Sequence, residues 1–313
     1  MFVNLELYRI FYVTAKMGSF SKAAAELFTS QPAISQAIKQ LENKLGGALF
    51  YRNARGVTLT VEGEVLFRYI EPGYHMMLTA ERKFDELQQL NAGNIRIAVC
   101  SAVCKYELLE AISQYCHVNP AITIDIVDQS SQEIARRLNL GEIDIGIMNL
   151  RNWDEHTATV VKKIEVQDCF VAGTRYEHLS RQPIHIRELA QNYPLILLQK
   201  GGSTREYIEN YFHKCGIRLS PKIELSHLDL MVEFAVNGLG IACVAKEYVL
   251  RELKSRQLVE IPLQESIPPR HLVAAIKKGM PLSTAAQAFI DIFVGMNATS
   301  PSVLHPTKHD SLI

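Results

Sequence analysis

No apolar run in the chain approaches the length of about eighteen residues that a membrane helix needs, so no helical span is expected. The start of the chain also lacks the basic residues, apolar stretch and small-residue cleavage site of a secretory leader. The 6 cysteines form no C-x-x-C pair and are scattered from Cys100 to Cys243, as buried thiols of a reducing cytosol are. Cys100 and Cys104 stand four apart with no histidine close in sequence, so no metal site is expected. Surplus charge is missing as well: 33 basic residues balance 33 acidic ones, and any attraction to a polyanion must be local. Nucleophile-elbow, Walker and H-E-x-x-H signatures are absent, and Gly238-x-Gly240 lacks the third glycine of a dinucleotide loop and reads as a tight turn. Glu142 and Asp144 could pair as acid and base, but Asp144 lies inside an apolar strand pattern, where a structural hydrogen bond is the simpler account. These absences predict a cytoplasmic globular protein with no catalytic residue, cofactor or metal. At 313 residues the chain is long enough for two or three domains.

The most informative stretch present runs from Ser19 to Thr60. Two short helical patterns are joined by a break of about three residues. In the second, Ser30 is placed to cap the N-terminus and Pro32 falls in the first turn, where a missing N–H costs nothing. Ile34, Ala37, Ile38, Leu41 and Leu45 recur three and four apart and form one inward stripe. The opposite face carries Gln31, Ser35, Gln36, Lys39 and Gln40, side chains suited to base edges and phosphates. This is a helix-turn-helix with the second helix as reader; an ordinary helical hairpin with a solvated face is the alternative. The segment Leu49 to Thr60 then reads as a β-hairpin wing, with Arg52 and Arg55 placed for phosphates beside the major groove. Upstream, Asn4 to Lys16 reads as a helix with Leu7, Ile10, Phe11 and Thr14 inward, and Ser19 or Ser21 caps the next one.

From Val61 to Leu90 the pattern is one long helix. Ile70, Met77 and Phe84 recur every seven residues with Leu66, Gly73, Ala80 and Leu87 between them, a seam that asks for a partner helix. Pro72 falls inside it, predicting a kink, with two shorter helices as the alternative. After Asn91–Asn94 strands and helices alternate: strands at Ile95–Cys100, Ile122–Val127, Gly141–Ile147, Cys169–Ala172, Leu195–Leu198, Gly238–Val244 and His271–Ile276. Helices fall between them, and Ser130, Ser203 and Ser226 each open a capping-box pattern. Two α/β units with mostly parallel sheets and a cleft between them are expected. Residues 297–313, rich in Ser, Pro, Thr and His, read as a loose tail.

The N-terminal segment resembles the LysR-type transcriptional regulators. The likeness runs through Phe11, Gly18-Ser19-Phe20-Ser21, Ala23-Ala24, Leu27 and Ser30-Gln31-Pro32-Ala33-Ile34-Ser35. It continues through Ile38, Leu41-Glu42, Leu49-Phe50, Arg52, Arg55, Leu59-Thr60 and Gly63. A looser likeness extends to Gly141–Asp144 and Asn237–Ala242. The resemblance implies a winged helix-turn-helix at 1–62, a dimerising linker helix at 63–92 that pairs antiparallel, and an effector domain at 93–296. That domain would be α/β, like a two-lobed periplasmic solute-binding protein (type 2). Lobe 1 would be 93–167 with 269–296 and lobe 2 would be 168–268, with crossings near Glu165–Asp168 and Pro268–His271. On the same resemblance Gln31, Pro32, Ser35 and Lys39 map to positions that approach bases or phosphates.

If the lobes face each other, helix starts at Ser101-Ala102, Ser130-Ser131 and Ser203-Thr204 can point into one crevice. Free N–H groups, hydroxyls and the positive helix ends would suit a small anion there. Met148 and Asn149, past the third strand, would line the crevice, and His227 could add charge near neutral pH. The resulting expectation is a bacterial, dimeric or tetrameric regulator of transcription. Its partners would be double-stranded DNA, a small anionic effector and RNA polymerase. A solute-binding or enzymatic domain tethered to DNA, and a ligand-independent architectural DNA protein, are the competing readings.

Overall fold

The computed structural model describes residues 3–53, 56–88 and 93–296. The chain divides into two compact units, Met1–Gln88 with Leu140–Glu142, and Gln89–Asn139 with Ile143–Ile313.

In the first unit, α1 (Leu5–Met17) starts on Asn4, whose side chain accepts from the Glu6 N–H, and ends at Gly18 in the left-handed region. α2 (Phe20–Glu26) is capped by Ser19, which accepts from the Lys22 N–H; Ser21 lies inside the helix. α3 (Gln31–Leu45) is capped by Ser30, with Pro32 in its first turn and Gly46 as left-handed terminator. β1 (Phe50–Asn53) and β2 (Gly56–Leu59) form an antiparallel hairpin with Phe50 opposite Leu59. Phe11, Ala23, Ile34, Ile38 and Leu41 are sealed in the core with Leu49, Phe50 and Val57. Each large side chain buried there contributes about 1.5–3 kcal/mol of transfer free energy. Gly56 is required where it stands: its φ is +138°, and a Cβ would sit 2.3 Å from the Gly18 carbonyl oxygen. That close approach seats the wing on the α1–α2 turn, where the Val57 N–H also donates to Gly18 O.

α4 (Val61–Gln88) is one continuous helix with Pro72 inside it, so the two-helix alternative does not hold. The seam read from the heptads is divided. Leu66 and Ile70, with Phe67 and Tyr74, pack on the DNA-binding core, and Tyr12 stacks on Phe67 at 5.8 Å. Met77 and Phe84 stay exposed, as does a second line made by Val61, Val65, Tyr69 and Met76. The heptad count misassigned the inner half because α1, and not another linker, covers that face.

The second unit contains two five-stranded sheets. The chain first lays down β3 (Asn94–Val99), α5 (Ser101–Val103), a π-helical turn (Cys104–Leu108), α6 (Leu109–Val118), β4 (Thr123–Asp128), α7 (Ser131–Leu140), β5 (Ile145–Asn149) and β6 (Ala158–Val166). It then forms β7 (Asp168–Ala172), α8 (Ile186–Asn192), β8 (Leu195–Leu198), α9 (Ser203–Lys214), β9 (Ile223–Leu225), α10 (Leu228–Val236), β10 (Ile241–Ala245), α11 (Leu250–Lys254) and β11 (Val259–Ile261). β12 (Arg270–Lys277) and α12 (Thr284–Gly295) return to the first sheet. The strand orders are β4-β3-β5-β12-β6 and β11-β7-β10-β8-β9. Both sheets are mixed and not mostly parallel: β12 runs antiparallel to β5 and β6, and β7 runs antiparallel to β10 and β11. The antiparallel strands are those next to the two crossings, since a chain entering and leaving a lobe at one edge must run both ways there. The tail at 297–313 lies outside the described residues.

Candidate nucleic-acid interface and inter-lobe cleft

On the reader helix α3, Gln31, Pro32, Gln36 and Lys39 are exposed along one face and Ser35 is half-buried, while Ile34, Ile38 and Leu41 turn inward. Arg52 on the wing reaches this helix: its guanidinium donates to Ser35 Oγ at 3.4 Å and lies 4.9 Å from the centre of the Phe20 ring. One cation therefore ties together the start of α2, the reader face and the wing. Arg55 lies outside the described residues. Thr60 locks the wing to α4, with its hydroxyl donating to Ala48 O at 2.7 Å and accepting from the Gly63 N–H at 3.0 Å. This assembly presents hydrogen-bonding side chains and two cations on one surface, the arrangement a major groove with flanking phosphates accepts.

In the second unit the two lobes meet through polar contacts and through apolar packing of Ala245, Tyr248 and Leu228 on the first lobe's core. Ser203, the first residue of α9, donates through its hydroxyl to Ser131 Oγ, at the first residue of α7, over 3.1 Å. The same Ser131 oxygen accepts from the Asn149 N–H at the end of β5, also over 3.1 Å. Two helix starts and a strand end thus converge on one point between the lobes, beyond the carboxyl end of a strand. Deeper, Arg270 and Asp168 join the two crossing segments through two hydrogen bonds, Nε to Oδ2 at 2.7 Å and Nη2 to Oδ1 at 3.2 Å. Burial opposes the charge on Arg270, but the Asp168 carboxylate outweighs it and raises the guanidinium pKa above its ordinary value. Lys105 in the π-helical turn reaches across to Asp229 in α10 at 2.7 Å, and Tyr106 stacks on Tyr248 at 4.4 Å.

The predicted crevice residues separate into groups. Ser203 and the buried Asn149 stand at this convergence, and Thr204, next in α9, is half-buried. Ser130 is exposed and occupied as the cap of α7, accepting from the Glu133 N–H at 3.3 Å. Ala102 packs on the first lobe's core, so it offers a carbon surface there. His227 is exposed and precedes α10 without a side-chain cap bond. The Ser101 side chain lies outside the described positions. The capping boxes at Ser203 and Ser226 are displaced by one residue: Gly202 and His227 hold the cap positions, which leaves the Ser203 hydroxyl free to face Ser131.

The sequence names Ser131 only as part of a helix start facing the crevice, and three further residues escape it. Arg205, 2% exposed, sits in the α9 pattern like a solvated charge, yet its guanidinium bonds Leu198 O and pairs with Glu209 at 3.0 Å and Glu224 at 2.8 Å. Asp168 and Arg270 are a hundred residues apart, and only the crossings bring them together. Asp144 is structural, accepting from the Arg96 N–H at 2.9 Å. Burial pushes the thiols of Cys100, Cys104, Cys169 and Cys243 upward; Cys169 and Cys243 are buried, Cys100 and Cys104 are half-buried, and Cys116 is exposed. Among the described residues there is no His/Cys/Asp/Glu cluster able to hold a metal, and no helix is long and apolar enough to cross a membrane.

Comparison with known proteins meets the same two regions. Residues 5–64 match the family "Bacterial regulatory helix-turn-helix protein, lysR family", and residues 88–297 match "LysR substrate binding domain". The RuBisCO operon transcriptional regulator of Allochromatium vinosum is 27% identical over 92% of this chain and 95% of its own length. The transcriptional activator CmpR of a Synechocystis species is 25% identical over 92% of this chain and 94% of its own. The crystal structure of HinK, a LysR family transcriptional regulator from Pseudomonas aeruginosa, covers 94% of this chain and 98% of its own at 22% identity, with a TM-score of 0.54.

Proposed function

The chain belongs to the LysR family of transcriptional regulators, and from that premise we propose that it is a cytoplasmic homodimer or homotetramer controlled by a small organic anion held between its two lobes. The observation that carries the effector reading is the convergence of Ser203, Ser131 and the Asn149 N–H. Both serines start helices of ten or more residues, so hydroxyls, free N–H donors and two positive helix ends face one point. A carboxylate accepts from donors of this kind and would replace the single Ser203–Ser131 hydrogen bond with several charge-assisted ones. We assign Ala102, Ser130, Thr204, His227 and, from its place in the sequence, Ser101 to the same effector site, and the Lys105–Asp229 pair is the contact whose spacing follows lobe closure.

Gln31, Ser35 and Gln36 read bases, with Pro32 setting the first turn against the groove, while Lys39, Arg52 and Arg55 hold phosphates. The exposed line Val61, Val65, Tyr69 and Met76 on α4 is the surface a second linker helix covers. Two reader helices then engage half-sites separated by whole helical turns, and the effector changes subunit placement, and so the contact with RNA polymerase, without any turnover of the ligand. Thermal-shift titration with a panel of small carboxylates, sulfate and phosphate tests the effector site. A ligand at a hundred times its Kd stabilises the fold by about 2.7 kcal/mol, and Ser203→Ala should abolish most of that shift. Equal shifts in both proteins for every anion would refute the site.

A further inference from the structure

Phe28 is the most exposed large apolar side chain among the described residues, 98% accessible, and its backbone φ is +50°. The conformation has a local cause. The Thr29 N–H donates to Ala24 O at 2.9 Å and the Phe28 N–H to Ala25 O at 3.2 Å, the paired bonds that close a helix through one left-handed residue. Glycine or asparagine fills that position at little cost, whereas a bulky residue there is strained. The ring offsets none of this within its own chain, because it packs on nothing. Both the strain and the exposed aromatic surface therefore oppose the fold, and strained positions of this kind cluster where a protein meets its ligand.

Its position says what. Phe28 stands two residues before the cap Ser30 and three before Gln31, the first residue of the reader helix. Three residues span at most about 10 Å, and a reader helix enters the major groove with its N-terminal residues foremost. The other exposed large apolar residues described in the unit lie elsewhere: Leu5 and Met17 at the two ends of α1, Leu45 at the far end of α3, Tyr51 in the wing, and the rest along α4. Phe28 is the one among them that leads directly into the N-terminus of the reader helix. We propose that Phe28 is a further DNA-contacting residue, its ring packing on deoxyribose and thymine-methyl surface at the lip of the groove that α3 enters. Aromatic contact of this type is sequence-tolerant on sugar and selective on a thymine methyl.

The test uses the full-length protein and a duplex selected by it from a randomised pool. Phe28→Asn should raise the Kd for that duplex about fivefold to twentyfold, the lower part of the range for losing one aromatic contact. Its salt slope should be unchanged, since no phosphate contact is lost, and its Tm should be equal or higher, since asparagine tolerates φ > 0. Phe28→Trp should bind within twofold of the parent. Comparison of the selected duplex with one in which flanking thymines are replaced by uracil separates methyl from sugar contact; either source supports the assignment. An unchanged Kd for Phe28→Asn, including the case in which the ring instead serves a protein partner, overturns the proposal. So does a parallel fall of Tm and affinity, which would make the ring structural.

Discussion

Replacing Asp168 by alanine leaves the Arg270 guanidinium buried without its counter-ion, and the consequence can be worked from the geometry. Arg270 is 7% exposed and Asp168 3%, and the two hydrogen bonds between them lie where both crossing strands enter the lobes. Water cannot replace the carboxylate without opening that junction. Removing one member of a buried pair costs about 3–5 kcal/mol, because the remaining charge keeps its desolvation penalty. For a unit of about 200 residues this corresponds to a fall in Tm of roughly 6–20 °C. Removing both partners should cost far less: Asp168→Leu with Arg270→Met deletes the penalty along with the attraction, and the double variant should fall within about 2 kcal/mol of the parent. Differential scanning calorimetry of the parent, Asp168→Leu, Arg270→Met and the double variant measures all four corners of the cycle, with Asp168→Ala measured beside them. Chemical denaturation monitored at Trp153, in the first lobe, gives an independent reading. A single-variant loss below about 1 kcal/mol would mean that the pair behaves as a solvated surface bridge. A double variant as damaged as the sum of the singles would mean that the two side chains act separately. Either result refutes the reasoning.

Other expectations are more local. Lys39→Ala should weaken binding to operator and scrambled duplex alike and lower the salt slope by about one, whereas Gln31→Ala should cost about 1–3 kcal/mol on the operator and relax its sequence. Titrations at several salt concentrations separate the two, and equal losses on both duplexes for both changes would contradict the assignment. Gly56→Ala should destabilise the DNA-binding unit by about 2 kcal/mol or more, since its Cβ collides with Gly18 O at a positive φ; a Tm within a degree of the parent would show that the wing is not seated there. Tyr69→Glu should shift sedimentation toward the monomer without unfolding the chain, because Tyr69 is 77% exposed. Glu133 is held at about 2 by hydrogen bonds from Arg136 and then Arg137, against an ordinary 4.5. A depressed pKa means stabilisation that is complete above pH 5 and lost as pH falls from about 4.5 toward 2. The groups are largely solvated, so Glu133→Gln should cost about 0.5 kcal/mol at pH 7 and less at pH 3 by urea unfolding; an equal cost at both pH values would exclude the linkage.

Much of this architecture follows from local rules that operate within a few residues. Ser19 and Ser30 cap α2 and α3, Pro32 sits in a first turn, and Ile34, Ile38 and Leu41 face the core, because helix periodicity and orphan N–H groups are properties of short segments. The strands of the two lobes were equally legible where apolar residues ran together, as in β5, β8 and β10. Those with mixed polarity were not: β6 carries Lys162, Lys163 and Glu165, and β9 and β11 are three residues each. The heptad seam of α4 was legible as a pattern, but which half meets α1 depends on where the chain turns after the wing.

The amino-acid order by itself determined the helix-turn-helix, the wing, the long linker and the alternation of strand and helix, because each rests on a spacing that no distant residue can alter. Tertiary structure alone decided that Gly202 and not Ser203 caps α9, and that Ser203 instead meets Ser131. It decided too that Asp168 and Arg270 share one buried pair. Those contacts join segments far apart in the chain, and their geometry exists only once both sheets are packed and the crossings closed.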